Sequence, residues 1–90
     1  MAHRKRKKRK EIANLVGPQI QNLRCQLGLT QERMAGRCQV HGFNISRGTL
    51  SQIEAQLRRV TDMELLRLAS IFKVSTDALF PAKIRPRRTK

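Results

Sequence analysis

Four times along this chain a serine or threonine follows one apolar residue and precedes another by four positions: Leu29–Thr30–Met34, Ile45–Ser46–Leu50, Val60–Thr61–Leu65 and Val74–Ser75–Leu79. A hydroxyl at that place accepts a hydrogen bond from the unpaired N–H groups that open a helix. The flanking apolar pair closes over it as a hydrophobic staple. At Thr61 the motif gains Glu64 three residues on, the reciprocal half of a capping box. One local rule repeated four times fixes helix starts at 30, 46, 61 and 75, and leaves room only for short helices between them.

A fifth start comes earlier. Pro18 suits a first helical turn, where a missing N–H costs nothing. Ile20, Leu23 and Leu27 then fall on one face, and Gly28 supplies a stop. The spacing predicts helices over 18–27, 31–39, 47–55, 62–72 and 76–80. A short helical turn over 11–16, with Ile12, Leu15 and Val16 on one face, would end at Gly17–Pro18. No sustained period-two alternation marks a strand. The reading is an all-α, compact five-helix domain of 11–81. Its core draws on nearly every aliphatic residue already named, together with Ala35, Cys38, Ile53, Leu68, Ala69 and Phe72.

Charge separates the rest of the chain from this domain. Twenty Lys and Arg face six Asp and Glu, for a formal charge of +14. Arg4, Lys5, Arg6, Lys7, Lys8, Arg9 and Lys10 form an acid-free arm over 1–10, and five more bases lie in the tail 82–90. The stretch 11–81 holds the remaining eight bases and all six acids, close to neutrality. Both ends are too charged to fold alone and are expected to be disordered.

Several functions drop out. No apolar run approaches the ~20 residues of a membrane helix. The basic start lacks the apolar segment and cleavage site of a signal peptide. Cys25 and Cys38 form neither a disulfide framework nor a zinc pattern, and His3 and His41 have no nearby acid or thiol, so no metal or other cofactor is expected. With no Trp, no Tyr and three Phe, base-stacking platforms are absent. No Cys/His, Ser/His/Asp or paired-carboxylate arrangement suggests an enzyme. A cytoplasmic, nucleoid-associated module for a polyanion remains.

The third helix, SRGTLSQIEAQ, carries the candidate chemistry. Leu50, Ile53 and Leu57 mark its inner stripe. Gly48 and Gln52 face away with Ala55, flanked by Ser46, Arg47, Thr49 and Ser51. Arg and Gln make two-pronged contacts with base edges, and Ser and Thr add single ones. Gln31, at the start of the second helix, is placed to hold a backbone phosphate with the helix N-terminal N–H groups. Arg58 and Arg59, just past the third helix, are placed on phosphates at the other side. Arg24 and Glu54 each lie ~40° off their own helix's apolar stripe. An unpaired ion there is costly, so the two are expected to pair across helices one and three.

Residues 16–81 resemble the Cro/repressor-type, or XRE, helix-turn-helix family through VGPQIQNLR at 16–24, GLTQERMA at 28–35, ISRGTLSQIE at 45–54 and LLRLASIFKVSTDALF at 65–80. The resemblance implies a lambda-repressor-like fold whose third helix enters the major groove of double-stranded DNA. It implies a transcriptional regulator, repressor-like and often a homodimer. It puts Gln31 on a phosphate, Arg47, Gly48, Thr49 and Gln52 toward the groove, and Arg58 and Arg59 near the backbone, and it supports the Arg24–Glu54 pair. Two departures stand out. About five extra residues between Ala35 and Ser46 either lengthen helix two or extend the turn between helices two and three into a loop, with Phe43 expected as a plug over the core and His41 in solvent. Gly48 offers no side chain where relatives often read a base. Two alternatives predict different behaviour: nonspecific nucleic-acid compaction driven by the basic ends, and an antitoxin-type module with a toxin or other regulatory protein as partner. Phe80 and Ile84 are candidates for a dimer surface.

Overall fold

The computed structural model describes residues 11–84; the expected disorder of the arm 1–10 and of 85–90 lies outside the described residues. Four α-helices occur among them: α1 (Gly17–Gln26), α2 (Gln31–Val40), α3 (Arg47–Glu54) and α4 (Asp62–Phe72). Three of the four expected hydroxyl caps form. Thr30 accepts from the N–H of Arg33, Ser46 from that of Thr49, and Thr61 from that of Glu64, whose carboxylate completes the capping box on the Thr61 N–H.

The fifth helix is corrected. Thr76–Leu79 is a 3-10 turn, and the Ser75 side chain makes no capping bond. Pro81 supplies the reason: a residue preceding proline is driven out of helical conformation, and Phe80 is extended, at φ −97° and ψ 156°. A second 3-10 turn covers Ala82–Ile84, the start of the stretch assigned to the C-terminal tail. No helix of the described residues is long and apolar enough to cross a membrane.

All four helices end alike. In each, two successive N–H groups turn back onto carbonyls of the last turn, as Gly28 and Leu29 do onto Cys25 and Arg24 at 2.9 and 3.2 Å. The first of the two must adopt positive φ. Gly28 at 72° and Gly42 at 83° do so without strain, whereas at the ends of α3 and α4 the position is taken by Gln56 at 64° and Lys73 at 60°.

The core gathers Ile20, Met34, Cys38, Leu50, Ile53, Leu68 and Leu79, all fully buried, with Val16, Ile45, Ile71 and Phe72 around them. Phe43 is the expected plug, 7% exposed. Leu27 and Leu57 are corrected from core to surface, 48% and 62% exposed. Both sit where a chain reversal ends the helical periodicity. Beyond Gly28 it is Leu29 that packs on the core, and beyond Gln56 the α3 stripe no longer continues.

Residues 11–16 are not helical. They form a strap held to the end of α3. The Asn14 amide donates to the carbonyls of Ile53 and Arg58 at 3.0 and 2.8 Å, and its oxygen accepts from the Gly17 N–H at 2.8 Å. Gln56 returns a bond to the Asn14 carbonyl, and the Ala13 N–H donates to the Gln56 carbonyl. Asn14 therefore satisfies backbone groups that a helical turn would have left to itself. Gly17 is required by closeness: an added Cβ would strike the carbonyl oxygens of Ile53 and Glu54.

Candidate nucleic-acid interface

Helix α3 is two-faced. Leu50, Ile53 and Glu54 are buried, while Ser46, Arg47, Gly48 and Gln52 are exposed and Thr49 and Ser51 half-buried. The Ser46 hydroxyl donates to the Thr49 hydroxyl oxygen at 3.1 Å. The Arg47 and Gln52 side chains have no hydrogen-bond partner among the described residues. A polar face that lies open while its reverse side is locked into the core can meet a ligand without giving up contacts of its own.

The expected Arg24–Glu54 pair forms, and it is more than a pair. Arg24 donates through Nε and Nη2 to the two carboxylate oxygens at 2.7 and 3.0 Å, and through Nη1 to the Leu29 carbonyl at 2.7 Å. The side chains are 11% and 3% exposed. Hydrogen bonding to Glu54 raises the Arg24 pKa above its ordinary value, against the opposing effect of burial. Glu54 accepts a third bond, from the Gln31 amide at 3.0 Å. The carboxylate thus joins α1, the start of α2 and the end of α3. Gln31 keeps its second amide hydrogen, beside the first N–H groups of α2.

At the far end of α3 the two expected phosphate arginines differ. Arg58 is engaged with both oxygens of Glu64, each bond 3.0 Å, and donates to the Arg59 carbonyl. Hydrogen bonding to Glu64 raises the Arg58 pKa, and the bond from Arg58 holds the Glu64 carboxyl below the usual carboxylate range, helped by the Thr61 N–H. Arg59 is exposed and has no side-chain partner among the described residues. Arg4 to Lys10 lie outside those residues. The Arg58–Glu64 pair and the Asn14 strap escaped the sequence reading. An Asn three residues ahead of a Gly–Pro helix start is the signal that points to Asn14.

The extended turn is an ordered plug. His41 is exposed, with its Nδ1 3.0 Å from the Arg37 carbonyl oxygen. Cys38 is buried, its thiol pushed up to about 11 by desolvation, and Cys25 is exposed. Phe80 is half-buried against the core and Ile84 is exposed. Among the described residues no three His, Cys, Asp or Glu side chains come together as a metal-ligand set.

A helix-turn-helix family model, HTH_3, matches residues 20–79. No curated protein sequence matches the chain. Among solved structures, the restriction-modification controller protein C.AhdI from Aeromonas hydrophila is similar at 28% identity and a TM-score of 0.62, over 73% of this chain and 91% of that one. An HTH_3 family transcriptional regulator from Vibrio cholerae is similar at 30% identity and a TM-score of 0.64, over 82% of this chain. This chain spans only 38% of that regulator's length.

Proposed function

The chain belongs to the HTH_3 family of helix-turn-helix proteins, and we propose that it reads duplex DNA by laying the outer face of α3 in the major groove. It is a sequence-specific DNA-binding transcriptional regulator and not an enzyme. Arg47 and Gln52 contact base edges, Thr49 and Ser51 add single bonds, and Ser46 fixes the helix start. Gly48 lets the backbone approach closely. Gln31 and the first N–H groups of α2 hold a phosphate at one side, and Arg59, with Arg58 behind it, does so at the other. The basic arm over Arg4–Lys10 adds affinity on phosphates without sequence preference. A homodimer would set two α3 helices about 34 Å apart on successive turns of the duplex. The reading extends to a repressor-like action by occupancy, with the chain in the cytoplasm on the nucleoid.

The observation that carries this reading is the open, polar outer face of α3, with Arg47 and Gln52 free of hydrogen-bond partners among the described residues, backed by a buried inner one. The test is selection from random duplex DNA at ~200 mM salt, where much nonspecific affinity is suppressed. The full chain should enrich a defined motif, and Gln52→Ala should relax one base position by ~1–3 kcal/mol. A folded chain that enriches nothing would leave the charge of +14 to act on nucleic acid without sequence preference.

A further inference from the structure

The five-residue extension of the turn before α3 has no task in the reading above, and its geometry supplies one. Its path is fixed at several points. The Gly42 and Phe43 N–H groups bond back to Gln39 and Cys38 at 3.0 and 2.8 Å. The Gln39 amide holds the Ile45 carbonyl at 3.0 Å, and the Arg67 guanidinium reaches the Gly42 carbonyl at 3.4 Å. Phe43 and Ile45 are buried, so the side chain between them cannot turn inward. Over 43–46 the residues alternate buried, exposed, buried, exposed, the pattern of extended chain in which residues two apart share a side. Asn44 therefore shares a side with Ser46, the residue that opens the outer face of α3. At ~3.3 Å per residue it stands ~7 Å from Ser46 along the chain, ahead of the start of α3. Its amide is exposed and has no hydrogen-bond partner among the described residues.

We propose that Asn44 is a specificity-determining residue: the packed Phe43/Ile45 plug holds its amide outward to read a base edge beyond those reached from α3. An amide offers a donor and an acceptor together, the pair that matches adenine in the major groove. The extended turn thereby lengthens the reading surface by one side chain and makes up for the blank at Gly48. This inference rests on the docking of α3 in the groove.

The experiment is a parallel selection from random duplex DNA at ~200 mM salt with the full-length parent, Asn44→Ala and Gln52→Ala. Thermal melting should show Asn44→Ala folded as the parent, because the side chain is exposed and has no hydrogen-bond partner among the described residues. Asn44→Ala is expected to lose about tenfold of the preference at one base pair at the edge of the motif, with the centre unchanged. An unchanged motif, or uniform weakening at every position, overturns the inference. If Gln52→Ala relaxes a central position while Asn44→Ala leaves the motif intact, the loop assignment alone fails. If neither variant alters the motif, the docking of α3 fails with it.

Discussion

The Arg24–Glu54 and Arg58–Glu64 clamps use the same chemistry, a guanidinium set on both oxygens of a carboxylate, in two different settings. The first lies at the junction of α1, α2 and α3 with side chains 11% and 3% exposed; the second joins the α3–α4 loop to the first turn of α4 at 33% and 18%. The first holds the start of α2 and the Gln31 amide beside α3. The second ties a helix cap to the loop that carries Arg59. Burial makes the first a condition of the fold, since removing one partner strands an ion out of water. Solvent screens the second, so that it adjusts the loop more than it supports the domain.

Breaking the buried clamp has the largest expected effect. Glu54→Gln keeps the shape and the Gln31 contact but leaves the Arg24 charge unbalanced, and should cost ~3–5 kcal/mol in urea unfolding. A loss under ~1 kcal/mol would erase the distinction drawn between the two clamps.

The two clamps also differ in how legible they are in the sequence. Arg24 and Glu54 are helical, so ~100° per residue places both at the edge of an apolar stripe and predicts their meeting. Arg58 follows Gln56, whose φ of 64° turns the chain out of helical register. Past that point periodicity says nothing about direction, and a loop arginine reads simply as a phosphate contact. The same limit explains the other corrections. Helix starts are announced by hydroxyls, and three of them cap as expected. The ends expected at 55 and 72 fall within one residue of those observed, Glu54 and Phe72, although Gln56 and Lys73 stand there in place of a glycine. The turn before Pro81 follows the cap pattern at Val74–Ser75–Leu79 but is too short for α-helix. Within the candidate site, the outer face of α3 is legible because it is helical, whereas the outward direction of Asn44 depends on which neighbours the core accepts.

The exposed clamp separates into two parts. Glutamine at the third helical position still completes a capping box, so Glu64→Gln removes only the ion pair and should cost less than ~1 kcal/mol. Glu64→Ala removes the cap as well and should cost ~1–2 kcal/mol. Thermal or urea melts of the two variants should preserve that order, and raised salt should shrink the cost of Glu64→Gln.

Acid sharpens the same contrast. Arg58 holds the Glu64 pKa below its ordinary value of 4.5. A carboxyl more acidic in the folded state contributes stability that is fully present above its unfolded value and lost as pH falls through the folded one. The stability gap between the parent and Glu64→Gln should therefore be level above about pH 5.5 and close progressively below the ordinary carboxylate range. A gap that stayed constant into strong acid would mean that the Arg58–Glu64 pairing adds nothing to the stability of the folded chain.

The smallest effect distinguishes the arginine inside the clamp from its neighbour. Arg59 presents an uncompensated charge, so Arg59→Ala should weaken binding to all sequences alike and flatten the dependence of log affinity on log salt by about 0.9. Arg58 already has a counterion, Glu64, at 3.0 Å. Bringing it to a phosphate releases fewer cations from the duplex, and Arg58→Ala should change the slope by less than Arg59→Ala does. Titrations of one duplex at several salt concentrations compare the two directly. Equal changes in slope would mean that Arg58 leaves Glu64 when DNA arrives, and that the exposed clamp is a latch opened by binding.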